Sequence, residues 1–142
     1  MPEERFYNRG EKMSITYQLE KNRDFPFAFS QAVRAGNLVF VSGQVGDDLE
    51  TFEVAGDTIE AQTRQCLKNV EEILAEAGLT LDHVVRVSTY LSRPEDFDGY
   101  DKVYSEIFSK PYPARVTGYV DMKDYLLEME VIADATAVRH EK

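Results

Sequence analysis

The chain has 142 residues, 43% hydrophobic and 11% aromatic, enough for one compact core and too many for wholesale disorder. Its 16 Lys and Arg against 26 Asp and Glu give a formal net charge of −10, which argues against a protein that lives on phosphate backbones. The single cysteine, Cys66, rules out an intrachain disulfide, and no apolar run reaches the length of a membrane span or forms a signal-peptide core, so a small acidic globular domain of the cytoplasm is expected.

Residues 1–12 carry six charges without periodicity and read as a flexible extension ahead of a single domain over 13–142. Residues 14–19 and 28–34 are short β candidates, with Pro26 breaking the stretch between them. The run Leu38-Val39-Phe40-Val41-Ser42 follows the turn pair Gly36-Asn37 and is apolar on both faces until Ser42-Gly43-Gln44, as expected of a strand inside a sheet. Residues 47–56 form a polar loop with a short extended piece at 51–54. Asp57 and Glu60 then have the acid-x-x-Glu form of a helix N-cap. Ile59, Thr63, Cys66, Leu67, Val70, Ile73, Leu74 and Ala77 keep helical spacing from there to the stop at Gly78.

The stretch 84–91 is a strand with Val85, Val87, Thr89 and Leu91 on one face and Val84, Arg86, Ser88 and Tyr90 on the other. Arg93-Pro94 opens a second helix whose buried stripe is Tyr100, Val103, Tyr104, Ile107 and Phe108, and Lys110-Pro111-Tyr112-Pro113 ends it. Strands over 115–120 and 127–138 close the chain, the latter with Met129 and Val131 opposite Glu128, Glu130 and Ile132. This order predicts an α+β fold, a mixed or antiparallel sheet with both helices on one face. The other face, left without helix, calls for oligomerisation.

The inventory of catalytic residue types is thin. His83 and His140 are the two histidines and Cys66 lies in a helical stripe, so neither zinc-ligand spacing nor a Ser/His/Asp or Cys/His nucleophile is present. Gly43 and Gly46 are followed by no helix and no Lys of a phosphate-binding loop. Two charges fall in strand-like, half-apolar segments: Arg115 after Pro113-Ala114, and Glu128 between Leu127 and Met129. An arginine at a strand start makes a planar fork for a carboxylate, and a glutamate among apolar neighbours has its pKa raised towards neutrality. The same two residues also fit a structural ion pair or a solvated edge, and Glu130 shares the face of Glu128, so spacing alone leaves these alternatives open.

The stretch from Phe29-Ser30-Gln31-Ala32-Val33 to Phe40-Val41-Ser42-Gly43-Gln44 resembles the N-terminal signature of the reactive intermediate deaminase family, also described as enamine/imine deaminases or L-PSP endoribonucleases. The resemblance continues through Gln62-Thr63-Arg64-Gln65-Cys66 and Asp96-Phe97, and ends with Pro113-Ala114-Arg115 and Glu128-Met129-Glu130-Val131. It implies a chorismate-mutase-like fold assembled as a homotrimer, with a barrel-like core and clefts between subunits. The implied reaction is hydrolysis of 2-imino and 2-enamino acids, such as 2-iminobutanoate and 2-aminoacrylate, to 2-oxo acids and ammonia, without metal or organic cofactor.

Carried over by position, the resemblance makes Arg115 the grip on the substrate carboxylate and Glu128 the residue that orients water and manages protons. Ser42 and Gly43 match the cleft wall, with the Gly43 N–H available to substrate, and Thr117 matches a position whose backbone carbonyl helps hold the water. Phe29 stands where many members have Tyr, Asp101 where Asn is frequent and Val116 where Ser is common, departures that bear on substrate identity. Competing expectations are a catabolic deaminase of a larger enamine such as 2-aminomuconate, a non-catalytic trimeric ligand-binding member, and an RNA-associated module. The acidic charge disfavours the last of these, and no membrane partner is expected.

Overall fold

The computed structural model describes residues 14–139, so the expected flexible extension at 1–12 and His140 lie outside the described residues. Six strands form one mixed sheet: β1 (Ile15–Tyr17), β2 (Ala32–Ala35), β3 (Leu38–Val45), β4 (Val84–Leu91), β5 (Ala114–Tyr119) and β6 (Leu127–Asp134). Their order across the sheet is β1-β2-β3-β6-β4-β5. All neighbouring pairs are antiparallel except β4 and β5, which run parallel. A parallel pair needs a crossover, and helix α2 (Phe97–Ile107) supplies it. Helix α1 (Ile59–Glu76) connects β3 to β4.

Both helices cover the same side of the sheet, as expected. Cys66, Leu67, Val70, Ile73 and Leu74 from α1 and Tyr100 and Tyr104 from α2 share one buried cluster with Val39, Val41, Val87, Leu91, Leu127, Met129 and Val131 from the strands. Cys66 is fully buried, and its thiol donates to the Gln44 carbonyl at 3.2 Å. The opposite sheet face presents Leu38, Phe40, Tyr90 and Val116, each more than a third exposed.

Several local expectations need correction. The α1 N-cap is Thr58, not Asp57: its extended backbone lets the hydroxyl accept from Ala61 N at 3.2 Å, one residue beyond the expected frame. The second helix starts with a 3-10 turn, Pro94–Asp96, tied by an Arg93–Asp96 fork at 2.8 and 2.9 Å, and becomes α-helical at Phe97. In β4 the ladder slips between Val84 and Arg86, which buries Val84 and turns Val85 outward, the reverse of strict alternation. The last strand stops at Asp134, whose carboxylate accepts from both the N–H and the hydroxyl of Thr136 and starts a turn. The expected strand over 28–34 shrinks to Ala32–Ala35, because Gln31 N–H is diverted to the Gln18 side chain.

One irregularity prepares the site. Strand β3 runs on to Val45, past the expected end at Ser42, but its register with β6 shifts between Val41 and Gln44. Val41 pairs with Val131 and Gln44 with Met129, so Ser42 and Gly43 together oppose one residue, a β-bulge.

Candidate active site

Arg115 lies on β5, an edge strand, in register with Val87, and therefore projects onto the helix-covered face. Below it, α2 places aromatic side chains three and four residues apart in one stripe. The guanidinium carbon lies 5.7 Å from the Phe97 ring centroid, 5.2 Å from that of Tyr100 and 4.6 Å from that of Tyr104. A cation over such faces gains roughly 0.5–2 kcal/mol, more as water is excluded. The side of the fork is held by Asp101, whose Oδ1 stands 2.9 Å from Arg115 Nη2. The Arg115 side chain is 23% exposed and that of Asp101 48%, and the two line a cavity of about 310 Å³ with Tyr104, Tyr112 and Pro113. A guanidinium carries five N–H donors, so one aspartate oxygen leaves it capacity for a second planar anion.

The shelf under Arg115 is locked. The Tyr100 hydroxyl donates to Thr89 Oγ1 at 2.8 Å, and Thr117 lies beside the same hydroxyl. Burial pushes the phenol pKa values of Tyr100 and Tyr104 up, so both rings stay neutral. Thr117 thus sits next to Arg115 on β5 but does not line the cavity.

Glu128 occupies the other side of the sheet. Its register partner is Tyr90, on the open face, and the bulge in β3 brings Gly43 directly against it. A Cβ on Gly43 would stand 2.9 Å from Glu128 Cδ and 3.1 Å from Oε2, so any side chain here would have to push the Glu128 carboxyl aside. Burial, and secondarily the charge of Glu130, raise the Glu128 pKa above the ordinary carboxylate range. A half-buried carboxylate whose pKa is raised in this way holds a proton more readily than an exposed one, which suits it to proton exchange. Glu130 is exposed on the central open face, near Ser88 and Tyr90, so the structure separates two glutamates that spacing could not.

Glu128 and Gly43 line a second cavity, of about 360 Å³, together with Phe29 and the buried polar side chains Gln31, Gln44 and Asp47. Burial also raises the pKa of Asp47. The segment carrying Phe29 lacks regular structure and is fixed by polar contacts instead. Gln31 Oε1 accepts from Leu19 N at 2.8 Å, Gln31 Nε2 donates to Asn22 Oδ1 at 3.0 Å, and Asn22 Nδ2 donates to the Leu49 carbonyl at 2.8 Å. Buried and mutually satisfied, this chain of amides specifies the loop as sharply as a strand would. The Ser42 hydroxyl donates to the Ser30 carbonyl at 2.6 Å and ties β3 to the Phe29 segment beside this cavity.

The candidate residues therefore fall into two groups. Asp101, Arg115 and Thr117 lie at the β5 edge on the helix face, whereas Phe29, Gly43 and Glu128 surround the other cavity, with Ser42 behind them. Strand β4 separates Arg115 from Glu128, and the two project to opposite faces, so within one chain they form neither an ion pair nor a common pocket. Sequence reasoning missed the aromatic shelf, whose spacing reads equally well as a core stripe, and the rings of Phe25, Phe27, Phe52 and Tyr125 around the second cavity. Among the described residues no group of three His, Cys, Asp or Glu is disposed to hold a metal ion, and no helix is long and apolar enough to cross a membrane.

Comparison with known proteins gives this arrangement a context. The family model described as Endoribonuclease L-PSP matches residues 24–135. A RutC family protein of Pyrococcus abyssi is 45% identical over 107 residues, covering 74% of this chain and 84% of that protein. Reactive Intermediate Deaminase A of the Arabidopsis thaliana chloroplast is 37% identical over 108 residues, 76% of this chain and 58% of that protein. Among solved structures, TdcF of E. coli with bound serine superposes with a TM-score of 0.77 at 29% identity, covering 84% of this chain and 98% of that one. The matched span contains both residue groups, from Phe29 to Glu128, and on that ground the chain belongs to the RidA/YjgF/L-PSP family.

Proposed function

We propose that this protein is a hydrolase of 2-imino acids and their 2-enamino tautomers, working as a homotrimer with its active sites between subunits. The carrying observation is the division of the site: an anion-binding Arg115 at one edge, a proton-managing Glu128 behind another wall, and an uncovered sheet face on which Leu38, Phe40, Tyr90 and Val116 stand exposed. A ring of copies packed through that face sets the Arg115 edge of one chain before the Glu128 cavity of the next, and three-fold closure uses every such edge once. The name of the Arabidopsis relative and the serine bound to TdcF, a small amino acid with a carboxylate, support this reading.

In the proposed reaction Arg115 holds the substrate carboxylate in the space beside Asp101. The imine carbon is already electrophilic, so the protein's task is to position water and move protons. Glu128 accepts a proton from the water as its oxygen bonds to the carbon, and the C=N electron pair passes to nitrogen. That nitrogen takes the proton back from Glu128. Glu128 then carries the second water proton from the hydroxyl to the same nitrogen, so that the carbonyl forms as the C–N bond breaks, leaving a 2-oxo acid and ammonia. The Gly43 N–H, unobstructed by any side chain of its own, is available to the substrate.

An imine generated in situ by an amino-acid oxidase tests the reading. Intact protein should accelerate 2-oxo acid and ammonia release about a hundredfold or more over Arg115→Ala, the scale of a lost charged contact at the reacting molecule. Equal rates for the two proteins overturn it. A sedimentation mass of a single chain, with activity retained, overturns the shared site.

A further inference from the structure

We infer that the second cavity selects substrates with a large apolar side chain, aromatic or long aliphatic, and that Phe27 and Phe52 are the residues that set this preference. The inference deepens the deaminase reading and rests on it. Four phenylalanines converge on the cavity that holds Glu128. Phe25 meets Phe29 edge-on at 4.9 Å and Phe27 at 5.6 Å, while Phe27 and Phe29 stack at 6.3 Å. This is a pre-formed aromatic wall rather than core: Phe27 is 63% exposed, Phe29 50% and Phe52 52%. The wall is held open by the Asn22–Gln31 amide network described above, so it does not depend on its own packing.

Phe52 approaches from the opposite loop in an unusual way. Its φ of 61° is left-handed, a backbone state that bulky side chains rarely occupy. The turn is braced by Phe52 N–H donating to the Asp48 carbonyl at 2.7 Å and by the Asp48 carboxylate accepting from Glu50 and Thr51 N–H. A strained residue held by such bracing places its ring in the lining of the cavity.

The chemistry of the walls selects the occupant. The lining combines polar side chains, Glu128, Gln31, Gln44 and Asp47, with the four phenylalanine rings. A dry protein surface would leave these polar groups unmatched, whereas a small molecule with a reacting polar head and an apolar tail matches both kinds of lining. Four aromatic rings beside Glu128 favour an apolar tail on the substrate over a methyl group.

The test compares imines made in situ from phenylalanine and from alanine, together with calorimetric binding of the non-reacting 2-oxo acids phenylpyruvate and pyruvate. The intact protein should favour the phenyl-bearing imine at least about tenfold in kcat/KM, the discrimination a hydrophobic pocket reaches, and bind phenylpyruvate more tightly than pyruvate by a similar factor. Phe52→Ala and Phe27→Ala should each reduce that ratio at least about threefold. Because both substrates meet the same enzyme sample, the ratio is insensitive to any loss of folded protein. A ratio near one in the intact protein, or one that neither variant changes, overturns the inference. Turnover of both imines with equal binding of both oxo acids overturns the pocket alone. Tight phenylpyruvate binding with no turnover above Arg115→Ala overturns the deaminase reading and with it the assignment of this pocket to an imine.

Discussion

The two halves of the candidate site are built by different means. The Arg115 half stands on regular structure: a strand register fixes the direction of the arginine, and one helical stripe supplies the rings of Phe97, Tyr100 and Tyr104 beneath it. The Glu128 half is assembled from irregularities, namely a bulge in β3, a loop pinned by buried amides and a turn with a left-handed phenylalanine. Regular elements hold the Arg115 guanidinium at fixed geometry, while the irregular half can vary its wall without disturbing the sheet. Under the proposed function, the first half would serve what is common to all substrates of a reaction class and the second what distinguishes them.

The sharpest test of this division is complementation. Arg115→Ala and Glu128→Gln should each lower kcat/KM by about a hundredfold or more, since each removes a charged group acting at the reacting molecule. Co-refolded in equal amounts, the two inactive variants should recover about a quarter of wild-type activity, because random mixing pairs an intact Arg115 with a neighbour's intact Glu128 at that frequency. No recovery would place both groups in one chain's site and end the comparison.

Gly43→Ala comes next. Its new methyl would stand 2.9 Å from Glu128 Cδ and must displace the carboxyl. Steady-state kinetics should show a loss of about tenfold or more in kcat, the consequence of a misplacement near 1 Å. Asp101→Asn should have a smaller and opposite effect on binding. It removes the charge that competes for Arg115 at 2.9 Å and should tighten binding of pyruvate severalfold by calorimetry. Weaker pyruvate binding would make Asp101 an organiser of the guanidinium rather than a competitor.

The smallest effect is on stability. A carboxyl whose folded-state pKa is raised destabilises the fold at a pH above that pKa, and the cost fades as falling pH protonates it in both states. Glu128→Gln should therefore raise Tm by about 2 °C at pH 7.5, partial exposure limiting the gain, and by nothing near pH 4. By the same sign, wild-type activity should fall as pH drops through a value above the ordinary glutamate range, as a pH–rate profile would show.

Much of this was legible in the sequence. The period of Ile59 to Ala77, the alternation from Leu127 to Ala133 and the apolar run at Leu38 give the layers directly, and Arg115 and Glu128 stand out as charges in apolar strands. Their mutual placement was not legible, because the face of a strand residue depends on register, and one slip reverses it, as Val85 shows. The loop from Asn22 to Gln31 escaped for another reason: buried amide pairs have no period. The aromatic shelf of α2 was visible but ambiguous, since a stripe of rings that supports a cation has the same spacing as one that fills a core.

The position of Cys66 has a practical consequence. It is the chain's sole thiol, fully enclosed between α1 and the sheet beside the β3 bulge, and burial pushes its pKa up. Alkylating reagents should reach it only when α1 lifts from the strands, so its labelling rate reports how often that layer breathes. The native chain thus carries an internal clock for local opening, without an added probe.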